Sequence, residues 1–248
     1  MASWGTAIFS DDTACDVRDD FKDYIGDGYS SSEATKLIIT EWQKSLDDSE
    51  EESVFWLSLA VTQWNIGRLD KNVKDKAISI IDLGSDLDRW EGKSRTQRSK
   101  VLEKAKEKIE SSQPAEKKIQ KIFRSQCNWE VGELIAYKTI SEKKVLFRVI
   151  GHHEDKGGKS PICELLNWQG DKIPNKLRLR FMGIKKRKYP NGHIDTQFGL
   201  GQSTENQFPK ERIERTGIVL KPSQQAGPYM DFPYAHLDER LKEFFGIE

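Results

Sequence analysis

The sequence predicts an α+β fold: an N-terminal helical domain followed by a small antiparallel β-barrel-like domain. Three observations carry this. Through about residue 124 the apolar residues recur at a spacing of three to four, and around "SSQPAEKK" that pattern breaks. After Cys127 short β-branched and aromatic runs are separated by Gly, Ser and Lys turns. A chain of 248 residues accommodates two modest domains, which we place at 1–124 and 125–248.

The first helix is predicted to start at Ser10 as N-cap, with Asp11 and Asp12 in the first turn, where free N–H groups favour carboxylates. Ala14, Val17, Phe21 and Tyr24 or Ile25 form its apolar stripe, and Gly26 and Gly28 supply the stop. Phe9 and Ala14 then occupy the positions of a hydrophobic staple, and Trp4 with Ile8 is expected beneath the helix end. A second helix begins at Ser31 or Ser32, with Ala34, Leu37, Ile38 and Trp42 on one face, and "DDSEEES" interrupts it. The third, "VFWLSLAVTQWNI", is apolar nearly all round and ends at Gly67, so it reads as the central helix. "RLDKNVKDKAISIIDLG" gives a fourth, with Val73, Ala77, Ile80 and Ile81 inward. Helices three and four resemble a hairpin of the tetratricopeptide kind, but no second copy recurs at a fixed period. Residues 94 to 111 form a charged fifth helix with Val101, Leu102, Ala105 and Ile109 as its stripe.

In the second domain "WEVGELIAYKTI", "KKVLFRVIGHH" and "SPICELLNW" read as three strands in close succession, and a terminal helix is expected from about His236 to Phe245. The V-G-E-L-I-A-Y entry followed by F-R-V-I-G resembles SH3-like or Tudor-like barrels. The resemblance implies a small closed sheet and carries no function of its own.

Charge is unevenly spread although the total is zero. Residues 1 to 60 hold four basic against fourteen acidic residues, a net −10, and residues 171 to 190 hold eight basic against Asp171 alone, a net +7. Cys15, Cys127 and Cys163 are far apart and form no C-x-x-C pair, which fits free thiols in a reducing compartment. The start has neither a basic n-region nor a long apolar run, so a cytoplasmic protein without a membrane segment is expected.

Two charged stretches are candidate contact surfaces. Asp12, Asp16, Asp19 or Asp20, and Asp23 are spaced by three and four along the first helix, a self-repelling row that suits a basic protein partner. In "KLRLRFMGIKKRKYP", Lys176, Arg178 and Arg180 alternate with Leu177 and Leu179 as in a strand. Lys185, Lys186, Arg187 and Lys188 then cluster beside Tyr189, a composition that attracts nucleic acid, unless it is neutralised within the molecule.

No catalytic constellation, metal site or cofactor motif emerges. "GHHEDKGGKSP" reads as a polar hairpin turn: in a strand His152 and Glu154 share one face and His153 and Asp155 the other. Neither His193 nor His236 is an evident third ligand. "GGKS" lacks the first glycine of a phosphate loop and the helix that should follow. Cys163 in "PICELL" alternates like a buried strand residue.

The opening "WGTAIFSDDTACDVRDDF" resembles an uncharacterised bacterial family whose members start W-G-T-G, then an aromatic, then an acidic D-D-A helix start. Ala7 stands where that family has Gly, and the likeness spans roughly the first thirty residues. It implies a bacterial-type cytoplasmic domain of the sort found beside toxin and immunity genes. The expectation is therefore a non-enzymatic protein-binding module, an immunity-like inhibitor of a basic toxin or nuclease. It would act through Asp12, Asp16, Asp19, Asp20 and Asp23, with nucleic-acid binding through residues 176–189 as the alternative.

Overall fold

The computed structural model describes residues 4–188 and 194–247, with Lys188 and Ile194 by their backbone alone. The chain divides into two compact units, Met1–Ile122 and Phe123–Glu248.

The first unit holds five helices: α1 (Asp12–Gly26), α2 (Ser31–Glu41), α3 (Ser49–Asn65), α4 (Lys71–Leu83) and α5 (Gly92–Glu110). Short polar side chains start four of them. Asp11 accepts from the Thr13 N–H, Asp48 from Glu50 and Glu51, and Asp70 from Asn72 and Val73. Ser30 and Glu33 form a reciprocal capping box on α2. Three expectations shift as a result. The cap of α1 is Asp11 and not Ser10, that of α2 is Ser30, and "DSEEES" opens α3 instead of merely separating helices. With Asp11 as cap the staple positions move off Phe9 and Ala14. Trp4 is 63% exposed and is not packed beneath the helix, while Ile8 does join the core.

Helix α3 is the centre of this unit. Phe55, Leu57, Leu59 and Ala60 are buried around its circumference, against Val17 and Phe21 of α1, Ile38 of α2, Val73 and Ala77 of α4, and Leu102 and Ile109 of α5. Gln63, fully buried, donates to Thr35 Oγ1 at 2.8 Å and accepts from the Asp70 N–H at 2.9 Å, so its amide ties three helices together. Beyond α5 the chain returns along the bundle. Lys117 N–H bonds the Ile66 carbonyl at 2.9 Å, and Gly67, at φ +73°, lies against Pro114 and Ala115 so closely that a Cβ would come within 2.4 Å of the Pro114 oxygen.

The second unit contains β1 (Glu133–Lys138), β2 (Lys144–Asp155), β3 (Gly158–Gly170), α6 (Lys176–Arg180), β4 (Arg187–Lys188), β5 (Ile194–Asp195), β6 (Phe198–Gly201), β7 (Ile213–Val219), β8 (Met230–Pro233) and α7 (Leu237–Phe245). Strands β7-β1-β2-β3-β6-β8 make one six-stranded sheet in that order, and β4 pairs with β5. The sheet is antiparallel except where β8 runs parallel to β6. It is an open sheet, not the small closed barrel that the sequence predicts: β7 and β8 stand at its two ends and do not pair.

Coverage of both faces explains why closure is not needed. On one face Ile135, Tyr137, Phe147, Leu165, Phe198 and Phe232 pack against Leu237, Leu241 and Phe244 of α7. On the other, Leu134, Ala136, Leu146 and Leu166 pack against Leu179 of α6 and Leu220. Adjacent residues of one strand thus serve opposite cores, which is why β2 and β3 are buried without alternation.

Candidate functional site

The acidic row of α1 is only partly a surface. Asp12 and Asp16 are exposed. Asp19 is exposed but holds Arg18 of the same helix by two bonds of 2.7 and 2.9 Å, and the guanidinium keeps its carboxyl below the usual range. Asp23 is half-buried. Asp20 turns inward: it is 7% exposed and accepts from the Trp42 indole N–H at 3.1 Å, so it belongs to the helix packing. Spacing contributes to this, because Asp12, Asp16, Asp19 and Asp23 follow one helical line and Asp20 lies about 70° off its centre, toward the buried face.

The residues 151–161 form a β2–β3 hairpin that closes from Asp155 to Gly158. His152 Nε2 bonds the Trp129 carbonyl at 2.9 Å, while His153 meets Asp155 at 3.0 Å. Among the described residues no group of three His, Cys, Asp or Glu converges as a metal site requires. His193 and Tyr189 lie outside the described residues. Cys163 is fully buried in β3, and burial pushes its thiol well above the ordinary value, as it also raises Cys127. A thiol in that state is a poor nucleophile.

The basic segment is built differently from its sequence reading. "KLRLR" is not a strand but the short helix α6, capped by Asn175, whose side chain accepts from the Arg178 N–H at 2.9 Å. Pro174 before the cap favours the extended entry. Leu179 is fully buried in the second core and fixes the helix to the sheet. At 100° per residue Leu177 and Phe181 then project about 160° away from Leu179, and they are 68% and 81% exposed. Arg178 and Arg180 flank this tip, and Lys176 and Lys186 are exposed beside it in the chain.

The remainder of the segment is anchored. Asn167 N–H bonds the Gly183 carbonyl and Lys185 N–H bonds the Leu165 carbonyl, both at 2.8 Å, which fastens residues 183–185 along β3. Lys185 Nζ reaches the Phe245 carbonyl at 3.1 Å, at the C-terminal end of α7, where a cation suits the helix dipole. The Arg187 guanidinium lies 3.5 Å from the Phe244 ring centroid. Lys185 and Arg187 are therefore structural, and for Lys188 only the backbone, in β4, is described. Within this unit and among the described residues, Lys176, Arg178, Arg180 and Lys186 form no ion pair.

Two further features were hidden from sequence reasoning. Fully buried Glu164 of β3 accepts from Arg148 of β2 and from both the N–H and hydroxyl of Ser223, an ionic clamp that holds the 220–224 strap on the sheet. The outward Leu177–Phe181 pair was hidden too, although a helical reading of "PNKLRLRF" would have placed both on one side.

No family model, curated protein or solved structure matches this chain. What fold and site define is a two-unit α+β protein in which the β-rich unit presents a short, basic, apolar-tipped helix anchored by Leu179. Among the described residues no helix is long and apolar enough to cross a membrane.

Proposed function

We propose that this protein is a non-enzymatic binding module whose β-rich unit contacts nucleic acid through Lys176, Arg178, Arg180 and Lys186. The observation that carries the reading is that these four cations are exposed and, among the described residues of their unit, form no ion pair, on a segment held by Leu179 and by backbone bonds to β3. Anchoring matters because a preordered cation cluster loses little entropy on meeting phosphates. Lys185 and Arg187, which the sequence grouped with them, serve the packing of α7 instead.

The test is a salt titration of binding to a labelled oligonucleotide. Four phosphate contacts give a logarithmic slope of about −3 to −4. Replacing all four by glutamate abolishes the binding. Absence of binding at about 50 mM salt, where such contacts are strong, would overturn the reading.

A second reading keeps a basic protein as partner of α1, in the immunity-like manner that the bacterial resemblance implies. Exposed Asp12 and Asp16 favour it, with Asp19 and Asp23 on the same line. Reversing Asp12, Asp16 and Asp19 to lysine would then abolish capture of that partner, and unchanged capture would exclude this face.

A further inference from the structure

We infer that the nucleic acid taken by this site is single-stranded, and that Phe181, with Leu177 beside it, is the platform on which a base stacks. The inference rests on the nucleic-acid reading above and goes beyond it in naming the form of the strand and the residue that selects it.

The tip of α6 has an unusual composition for a charged surface. Leu177 and Phe181, 68% and 81% exposed, sit one helical turn apart, opposite the buried Leu179. Neither carries a hydrogen-bonding side chain, so neither can hydrogen-bond a base edge, and the thymine methyl is the one apolar mark that the major groove of a duplex offers them. A base face needs only an apolar or aromatic surface, and every base has one. In a duplex those faces are covered by stacking on their neighbours, whereas a single strand offers them freely.

The flanks fit the same strand. Arg178 and Arg180 lie about 100° to either side of Leu179 around the helix, between core and tip, where they can meet the phosphates bracketing a stacked base. Lys176 precedes them, and exposed Lys186 follows after the segment 183–185 that is bonded along β3. The tip does not have to be ordered on binding, since the Asn175 cap, the Leu179 anchor and the bonds of residues 183–185 to β3 already hold it.

An anionic bilayer shares part of this chemistry and fits less well. Two side chains on a five-residue helix offer far less apolar contact than an interfacial amphipathic helix. They also offer less than a single myristoyl chain, which alone binds membranes only marginally.

The deciding experiment measures fluorescence anisotropy of the full chain with a labelled strand of about twenty thymidines and with a duplex of similar length, at about 50 mM salt. Phosphatidylcholine vesicles containing phosphatidylserine are tested in parallel by sedimentation. We expect the single strand to bind more tightly than the duplex. Phe181→Ala should weaken the single strand by roughly 5- to 100-fold with the salt slope unchanged, and Phe181→Trp should restore it. Because Phe181 is exposed, its replacement leaves the core intact, which circular dichroism verifies. Equal binding of strand and duplex with no effect of Phe181→Ala would overturn this inference and leave the nucleic-acid reading standing. Binding to vesicles and to neither nucleic acid would overturn both.

Discussion

Arg98 of α5 and Asp86, in the turn after α4, form a two-pronged ion pair at 2.7 and 3.0 Å, and the two residues are 3% and 0% exposed. The same guanidinium donates to the carbonyls of Thr6 and Ala7 at 3.0 Å each and lies over the Trp90 ring. The opening "WGTAIF" is thus gripped by its backbone from a residue more than ninety positions away. Nearby, Asp11 caps α1 and also pairs with Arg89 at 2.9 Å. The opening of the chain is a structural seam of the helical unit.

Breaking that pair leaves a buried charge without its partner. Asp86→Ala is expected to destabilise the protein by about 3 to 5 kcal/mol, and the double change Asp86→Ala with Arg98→Met to recover much of the loss. Urea unfolding of the two variants measures both, and equal losses would show that the carbonyl bonds of Arg98 dominate.

Gly67 combines a positive φ with a close approach to Pro114. Gly67→Ala should cost about 2 kcal/mol or more, because both backbone strain and displacement of the 114–115 segment oppose it. Gly28→Ala, at φ +100° with nothing within 4 Å, should cost only about 1 kcal/mol. Thermal unfolding of the pair separates contact from strain.

Cys163 should resist alkylation until the protein unfolds, since it is fully buried and burial pushes its thiol up. Cys15 and Cys127, both half-buried, should be modified first. Mass spectrometry after iodoacetamide treatment, with and without denaturant, reads the order, and early labelling of Cys163 would show that the β3 core opens.

Glu133 supplies a pH dependence. Burial alone would raise its pKa, but bonds from Arg215 at 2.5 and 2.8 Å and from the Glu130 N–H at 3.0 Å outweigh it and hold the carboxyl below its ordinary 4.5. In acid the unfolded chain therefore binds this proton before the folded one does. The pair's stabilisation is full above the ordinary carboxylate range and is lost as pH falls through the folded pKa. Glu133→Gln should cost about 1 kcal/mol at neutral pH and progressively less below about pH 4.5. A gap between variant and parent that stays constant with pH would rule this out.

Local chemistry made much of the helical unit legible. Gly84, which closes "RLDKNVKDKAISIIDLG", ends α4 in the left-handed conformation, a stop that acts within one turn. The apolar lines Val17–Phe21 and Val73–Ala77–Ile80 face inward because a helix repeats every 3.6 residues whatever surrounds it. Asp20 escaped that reading because it stands at the edge of the acidic line, and the Trp42 indole that satisfies its inward carboxylate comes from outside α1. "KLRLR" escaped it for a different reason. Five residues are too few to separate a period of two from one of 3.6, and the buried Leu179 decides between them only once the sheet exists to receive it.

By itself the sequence determined that helical segments precede strand-forming ones, the glycine stops, and most inward residues of the longer elements, because each follows from interactions within a few positions of the chain. The tertiary structure alone decided that the sheet stays open, that β8 joins β6 in parallel, and that Glu164 is clamped by Arg148 and Ser223. It also divided the basic segment into residues that hold it and residues that face outward. Those outcomes depend on contacts between distant residues, whose cost in chain entropy is repaid only by the assembled core, and no local pattern encodes which distant partner supplies it.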